Sequence, residues 1–172
     1  HILQGEPVYT KSIPFHDFKN KPRNMEVNFN LEEREVFKLL VEFQAIFNWQ
    51  EKIKGPEREL ETEEVIEFYN NLEEILLSAW GVPSDDGLYF RKSGRYDFEE
   101  SKLFAACMKM FVEDPKEAND LLDGLMPKGL QDMVKKADAN LSELAKNPDN
   151  SEELQRELDR LRAEMEAQKA AN

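Results

Sequence analysis

Few side chains in this 172-residue chain are equipped for chemistry beyond packing and solvation. The histidines are His1 and His16, and the single cysteine is Cys107. His16 stands beside Asp17, a pairing that could serve a general base, but no motif supports that role and a surface histidine is the simpler reading. A nucleophilic thiol needs a base and an electropositive setting. Cys107 lies instead among Ala105, Ala106 and Met108 on an amphipathic stretch, so it reads as a small core residue. One cysteine and no His-Glu-x-x-His run leave no zinc site. Seven scattered glycines draw neither a Walker loop nor a dinucleotide fingerprint. Asp85, Asp86 and Asp97 lack the spacing of a calcium loop and its closing glutamate, so turn and cap roles explain them. Glu57, Glu59, Glu61, Glu63 and Glu64 crowd one stretch; paired carboxylates can do acid–base work or imitate phosphates, while a solvated loop and helix start is the commoner outcome. The chemistry therefore implies no catalytic residue, no cofactor and no metal, and directs attention to packing and partners.

Composition narrows the partners. Asp and Glu number 36 against 23 Lys and Arg, a formal charge of −13. Residues 31–80 alone carry −8. Repulsion from phosphate opposes nonspecific binding to nucleic acid or to an anionic membrane. No apolar run approaches the roughly 20 residues of a membrane span, and the first 25 residues show no signal-peptide core. The expectation is a soluble, intracellular protein without a disulfide framework.

The elements that must position any site follow from periodicity. Residues 8–29 read as an antiparallel hairpin: Val8, Ile13 and Phe15 are strand formers, Met25, Val27 and Phe29 alternate with polar residues, and Lys19 to Asn24 is turn chemistry. Asn30, answered by Glu33, is expected to cap a helix over 31–50 with a stripe of Val36, Leu39, Leu40, Phe43, Ile46 and Phe47. Thr62 is expected to cap a second helix with a stripe of Val65, Tyr69, Leu72, Leu76, Ala79 and Trp80, ending at Gly81 and Pro83. Ser84-Asp85-Asp86-Gly87 reads as a tight turn before a short extended run, Leu88 to Lys92. Asp97 with Glu100 is expected to cap a third helix with Phe98, Phe104, Cys107, Met108 and Phe111 on its apolar side. Asp114-Pro115-Lys116-Glu117 opens a short helix to about Leu122, Gly124 to Pro127 breaks it, and another helix is expected over 128–136. Phe43, Phe47, Trp49, Leu72, Leu76, Trp80, Phe104 and Phe111 are the expected core.

Beyond residue 136 the aromatics vanish, and Asn147-Pro148-Asp149-Asn150 forms a breaker cluster. A charged helix over 151–169 then carries one narrow stripe, Leu154, Leu158, Leu161 and Met165, spaced four, three and four. A helix so short needs a groove for its stripe, so these four are the candidate partner-binding residues. Residues 147–150 would be the hinge.

The order of these segments resembles that of the tail assembly chaperones of long, flexible-tailed bacteriophages. The likeness rests on Tyr9 to Phe18 as a first strand and on Ser84-Asp85-Asp86-Gly87-Leu88-Tyr89-Phe90-Arg91-Lys92, which fits that family's Ser-x-Asp-Gly-x-x-Phe-x-Lys-like turn. A closing Asp123-Gly124-Leu125-Met126-Pro127 completes it. It spans about residues 8–134 and departs from Ala137 onward. The resemblance implies a viral binding protein without catalysis, which coats the tape measure protein and recruits tail tube protein in the cytoplasm of the infected host and is not retained in the virion. A homo-oligomer is compatible with it.

The expected fold is α+β and predominantly α-helical. Residues 1–136 form a domain in which an N-terminal hairpin packs on helices, and 137–172 form a hinge and helical arm. The alternative readings are an acidic inhibitor mimicking nucleic acid, another helical protein-binding adaptor and, more distantly, a small helical enzyme. The mimic would need carboxylates over a broad face, whereas the acids here cluster over 57–74.

Overall fold

In the computed structural model, which describes residues 8–53, 61–126, 130–132, 134, 156, 159–164 and 166–167, the chain opens with an antiparallel hairpin, β1 (Tyr9–His16) and β2 (Pro22–Phe29), in the register Tyr9↔Phe29 through His16↔Pro22. Its turn is shorter than the sequence suggested. Lys21 to Asn24 do not all belong to it, because one Asp17 carboxylate oxygen accepts from the backbone N–H groups of Lys19 and Lys21, both at 2.9 Å, and the other accepts from Arg23 Nε at 2.9 Å. Asn20 takes the left-handed position, φ 59°, which asparagine tolerates. Along β1 the alternation is that of a sheet with one wet face. Ile13 is buried, while Thr10, Ser12, Pro14 and His16 are exposed.

Three helices follow, α1 (Glu33–Lys38), α2 (Leu40–Ile53) and α3 (Thr62–Ala79). The single helix expected over 31–50 is broken at Leu39, where φ −109° and ψ 14° leave the α region and the N–H bonds to Val36 rather than one residue further back. The break lets Leu39, Leu40 and Phe43 all turn inward. The cap also differs: Glu32, not Asn30, forms a capping box with Glu35, and Asn30 donates to Glu32. Thr62 likewise lies inside α3, with Glu61 at the cap position and no side-chain cap bond. Leu72, Leu76 and Ala79 are buried as expected, but Val65 and Tyr69 are exposed.

After α3 the chain re-enters the sheet. Trp80 and Gly81, expected to end the helix, begin β3 (Trp80–Pro83), which pairs with β2 through Phe29↔Trp80 and Asn28↔Gly81. β4 (Phe90–Arg91) pairs with β3 and completes an antiparallel sheet in the order β1-β2-β3-β4. The strand wins at Trp80 because the Phe29 backbone supplies hydrogen bonds and because its indole stacks on Phe98, 4.7 Å between centroids and 5° between planes.

Three further helices are α4 (Arg95–Glu99), α5 (Lys102–Glu113) and α6 (Pro115–Leu125). Asp97 is not a cap: it lies within α4, and Ser101 caps α5 by accepting from the Phe104 N–H at 3.1 Å. Asp114 caps α6 as expected, accepting from the N–H groups of Lys116 and Glu117. α6 continues through Gly124, expected as a breaker, and the position suits glycine because a side chain there would press against Tyr9, 3.3 Å from its Cβ. The same two elements are tied by Glu117, whose carboxylate accepts from the Tyr9 hydroxyl at 3.1 Å and from Lys11 Nζ at 2.6 Å. Leu130, Gln131, Asp132 and Val134 are helical.

Phe29, Phe43, Phe47, Phe111, Ile75, Leu76, Met108 and Leu121 sit at the centre of one core. Of the eight expected core residues, Trp49, Trp80 and Phe104 are only half-buried. Trp49 stacks on Phe68 at the edge of a groove, 4.6 Å between centroids. In α5 it is Leu103 that turns fully inward, leaving Phe104 edge-on to Phe98. The N-terminal hairpin packed on helices makes the fold α+β and predominantly helical.

Candidate protein-binding surfaces

Of the four stripe residues proposed for partner contact, Leu154, Leu158 and Met165 lie outside the described residues, as do Glu57, Glu59 and the breaker cluster at 147–150. Leu161 is helical and 3% exposed, part of the core of its own chain. Its neighbour Arg162 reaches back to α1, 3.9 Å from Glu33 and 5.8 Å from the centre of the Phe37 ring. The described part of the arm therefore packs on α1.

The Ser84–Lys92 segment is built as a rigid projection. Ser84 Oγ and Asp86 Oδ1 lie 2.6 Å apart, Asp86 accepts from the Leu88 N–H at 3.0 Å, and Ser84 Oγ accepts from the Tyr89 N–H at 3.0 Å. Gly87 takes φ +76°, a conformation that a side chain would strain. These hydrogen bonds hold the Asp86 carboxyl below its ordinary value, the Ser84 hydroxyl first and the Leu88 amide second. At the base of the projection Phe90 covers Gly81 so closely that a methyl there would overlap its ring and come 2.9 Å from the Arg91 carbonyl. Lys92 then anchors the end: its ammonium donates to the Asn30 carbonyl (3.1 Å), the Glu35 carboxylate (2.7 Å) and the Ser78 carbonyl (2.7 Å). Each fixed position of the motif thus has a structural task. What the motif displays are its unspecified positions: Leu88 is 75% exposed and Tyr89 57%, with Arg91 over the Tyr89 ring at 4.8 Å. The sequence marked the turn but not these two; their place between the fixed positions was the available signal.

A second surface is an apolar groove of about 280 Å³ walled by α2, α3, α5 and α6. Trp49 and Phe68 form one side, Ile46, Leu72 and Leu121 the floor. Ile53 and Val112 stand at the lip, both more than 40% exposed. Gln50 Nε2 donates to Asn119 Oδ1 at 2.9 Å, joining α2 to α6 with neutral amides rather than charges. Such a lining suits the apolar face of a helix. Sequence periodicity placed Trp49 in the core, because spacing within one helix does not reveal where a neighbouring helix ends.

The residues with chemical potential are placed as follows. His16 is exposed at the end of β1. Cys107 is fully buried, and burial pushes its thiol up to about 12, far from reactive. Asp85 and Asp86 belong to the turn and Asp97 to α4. Among the described residues no group of three histidine, cysteine or acidic side chains is arranged to hold a metal ion, and no helix is long and apolar enough to cross a membrane.

Residues 8–172 match a family model described as phage tail assembly chaperone. The match runs past residue 134, where the motif-by-motif resemblance stopped, and takes in the arm, so the segment from Ala137 onward does not depart from the family. No curated protein and no solved structure matches the chain.

Proposed function

The chain belongs to the phage tail assembly chaperone family, and we propose that it performs that role by binding the tape measure protein and recruiting tail tube subunits. It does so without catalysis, in the cytoplasm of the infected host, and leaves before the virion is complete. The observation that carries this reading is the apolar groove between α2, α3, α5 and α6. A protein that spans the length of a tail must keep amphipathic helices from aggregating before the tube encloses them. A groove with an aromatic wall, an aliphatic floor and an amide rim takes the apolar face of one such helix at a time. The acidic outer surface keeps the loaded complex dispersed.

The mimicry of nucleic acid draws on the five carboxylates of α3. It is the weaker reading, because Val65, Ile66 and Tyr69 are exposed among them and interrupt a phosphate-like face.

Co-expression with the tape measure protein tests the proposal. Wild-type chain should copurify with it, and Ile53→Glu/Val112→Glu, which places charge at the lip of the groove on already exposed positions, should reduce recovery at least tenfold with an unchanged circular dichroism spectrum. Undiminished recovery would move the contact away from the groove. No copurification of the wild type would refute the partner.

A further inference from the structure

β1 is an edge of the sheet. Among the described residues it pairs with β2 and with no other strand. In an antiparallel ladder, facing residues alternately exchange two hydrogen bonds or none. Pro14↔Asn24 and His16↔Pro22 each contain a proline, which has no N–H to exchange. These pairs and Ser12↔Glu26 therefore form the unbonded set, and the backbone groups of Ser12, Pro14 and His16 point away from β2. The bond from the Asp17 N–H to the Lys21 carbonyl, 2.9 Å, keeps the same alternation just past the strand. The three outward residues are exposed, and their backbone groups have no partner among the described residues. An open cleft runs along this edge. Ile13, Pro14, Phe15 and His16 all line it. Consecutive strand residues point to opposite faces, so what these four share is the edge itself. The other wall is one face of α5, through Lys102, Ala105, Ala106, Lys109, Met110 and Glu113. That face is about 16 Å long, the reach of about five extended residues. α5 runs opposite to β1: the Lys102 ammonium lies over the Phe18 ring just past the end of β1, at 4.9 Å, and the Phe111 and Tyr9 ring centres lie 6.1 Å apart at its start. The turn end of the cleft therefore carries Lys102 and His16, and Glu113 stands at the other end, one helical turn from Lys109. Glu99 and Glu100 precede Lys102 but do not line the cleft, and the Asp17 carboxylate is engaged by its own turn and by Arg23.

We propose that this cleft receives an extended segment of a partner protein, which adds to the sheet antiparallel to β1. Antiparallel pairing matches the rest of the sheet. Ser12 and His16 then each exchange two hydrogen bonds with the segment, and Pro14 accepts one. Segment residues facing Phe15 and Ile13 turn toward α5, where Ala105 and Ala106 leave room and Met110 supplies an apolar floor, so those two are apolar. The preceding residue in the same row reaches the turn end, where an acid complements Lys102. The residues between them face solvent and are polar. Pro14 withholds one donor, which discourages the pairing of two such edges with each other. The cleft shares no residue with the apolar groove, so the site stands independently of the proposed function.

Calorimetric titration of the full-length chain with the peptide acetyl-Glu-Thr-Val-Thr-Val-Thr-amide tests this, and should show saturable binding with a Kd below about 1 mM. N-methylation of the second threonine, whose N–H would go to the Pro14 carbonyl, should weaken binding about tenfold. N-methylation of the second valine, whose N–H points away from β1, should leave it unchanged. Ser12→Pro removes an outward N–H that β2 does not use, so the circular dichroism spectrum should stay the same while binding falls about tenfold. Lys102→Glu should weaken binding, and a peptide with lysine in place of its glutamate should recover it. Ile53→Glu/Val112→Glu should bind the peptide as the wild type does. Absence of binding overturns the proposal, as do equal effects of the two N-methylations, indifference to Lys102→Glu, or loss of binding in the groove variant. So does a dimer of the chain alone that Ser12→Pro dissolves, because a second copy would then hold the edge. If Ser12→Pro fails to fold, the two N-methylated peptides still decide.

Discussion

At the scale of single residues, Lys92 has the most to do. Its ammonium joins the connection after β2, α1 and the last turn of α3 through three acceptors. Replacing it with methionine keeps the aliphatic length and removes every donor, which should cost about 1–3 kcal/mol, the penalty for stranding partly buried acceptors. Denaturant unfolding reads this directly, and a loss below about 0.5 kcal/mol would mean that water substitutes for the ammonium. The same residue governs an acid limb. Burial pushes the Glu35 carboxyl up, but the Lys92 ammonium and the Glu32 backbone together outweigh it and hold the group below its ordinary value. A depressed carboxyl contributes stability that is complete above the ordinary glutamate value and is lost as pH falls through the lower folded value. The wild type should therefore lose stability on acidification below about pH 4.5 more steeply than Lys92→Met. Parallel acid limbs in a series of urea midpoints would remove Glu35 from that account.

At the scale of elements, the start of α5 shows two local signals in competition. Asp97 with Glu100 and Ser101 with Phe104 are both plausible openings, and the sequence alone favours the acidic box. Burial decides otherwise. Phe98 must reach the core, where it is 3% exposed and stacked on Trp80, and a separate short helix places it there. The next cap is then Ser101. Ser101→Ala should cost about 0.5–2 kcal/mol, and Asp97→Ala should stay within about 0.5 kcal/mol. Thermal melts of the pair separate the two openings, and a larger loss at Asp97 would restore the acidic cap. Gly124 teaches the same lesson with opposite sign: a residue that reads as a helix breaker sits inside α6, where Tyr9 comes so near that a side chain would crowd it.

At the scale of the whole molecule, the described part of the arm belongs to the packing of the chain. Leu161 is buried with the core, and Arg162 lies beside Glu33 and Phe37 of α1. Leu161→Ala should accordingly cost about 2–4 kcal/mol, as a buried leucine does when its cavity only partly collapses. A solvated tail would lose less than about 0.5 kcal/mol on the same change, so equilibrium unfolding distinguishes a docked arm from a loose one.

Much of this protein was determined by local sequence. The hairpin follows from period-two alternation and the Asn- and Pro-containing turn over Lys19 to Asn24. The α2 stripe follows from spacings of three and four, the Asp114 cap from its proline and glutamate, and the positive φ at Gly87 from the turn it closes. The order of those segments also carried the family resemblance. Tertiary structure alone decided the rest. Trp80 leaves a helix for a strand because Phe29, 51 positions earlier in the chain, offers a backbone partner. Trp49 becomes a groove wall, and Leu88 and Tyr89 become a display, because burial depends on which elements stop short of covering them. Periodicity reports which side of an element is apolar. It cannot report what lies opposite, since that is set by contacts between residues far apart in sequence, and the surfaces available to partners are where such contacts are missing.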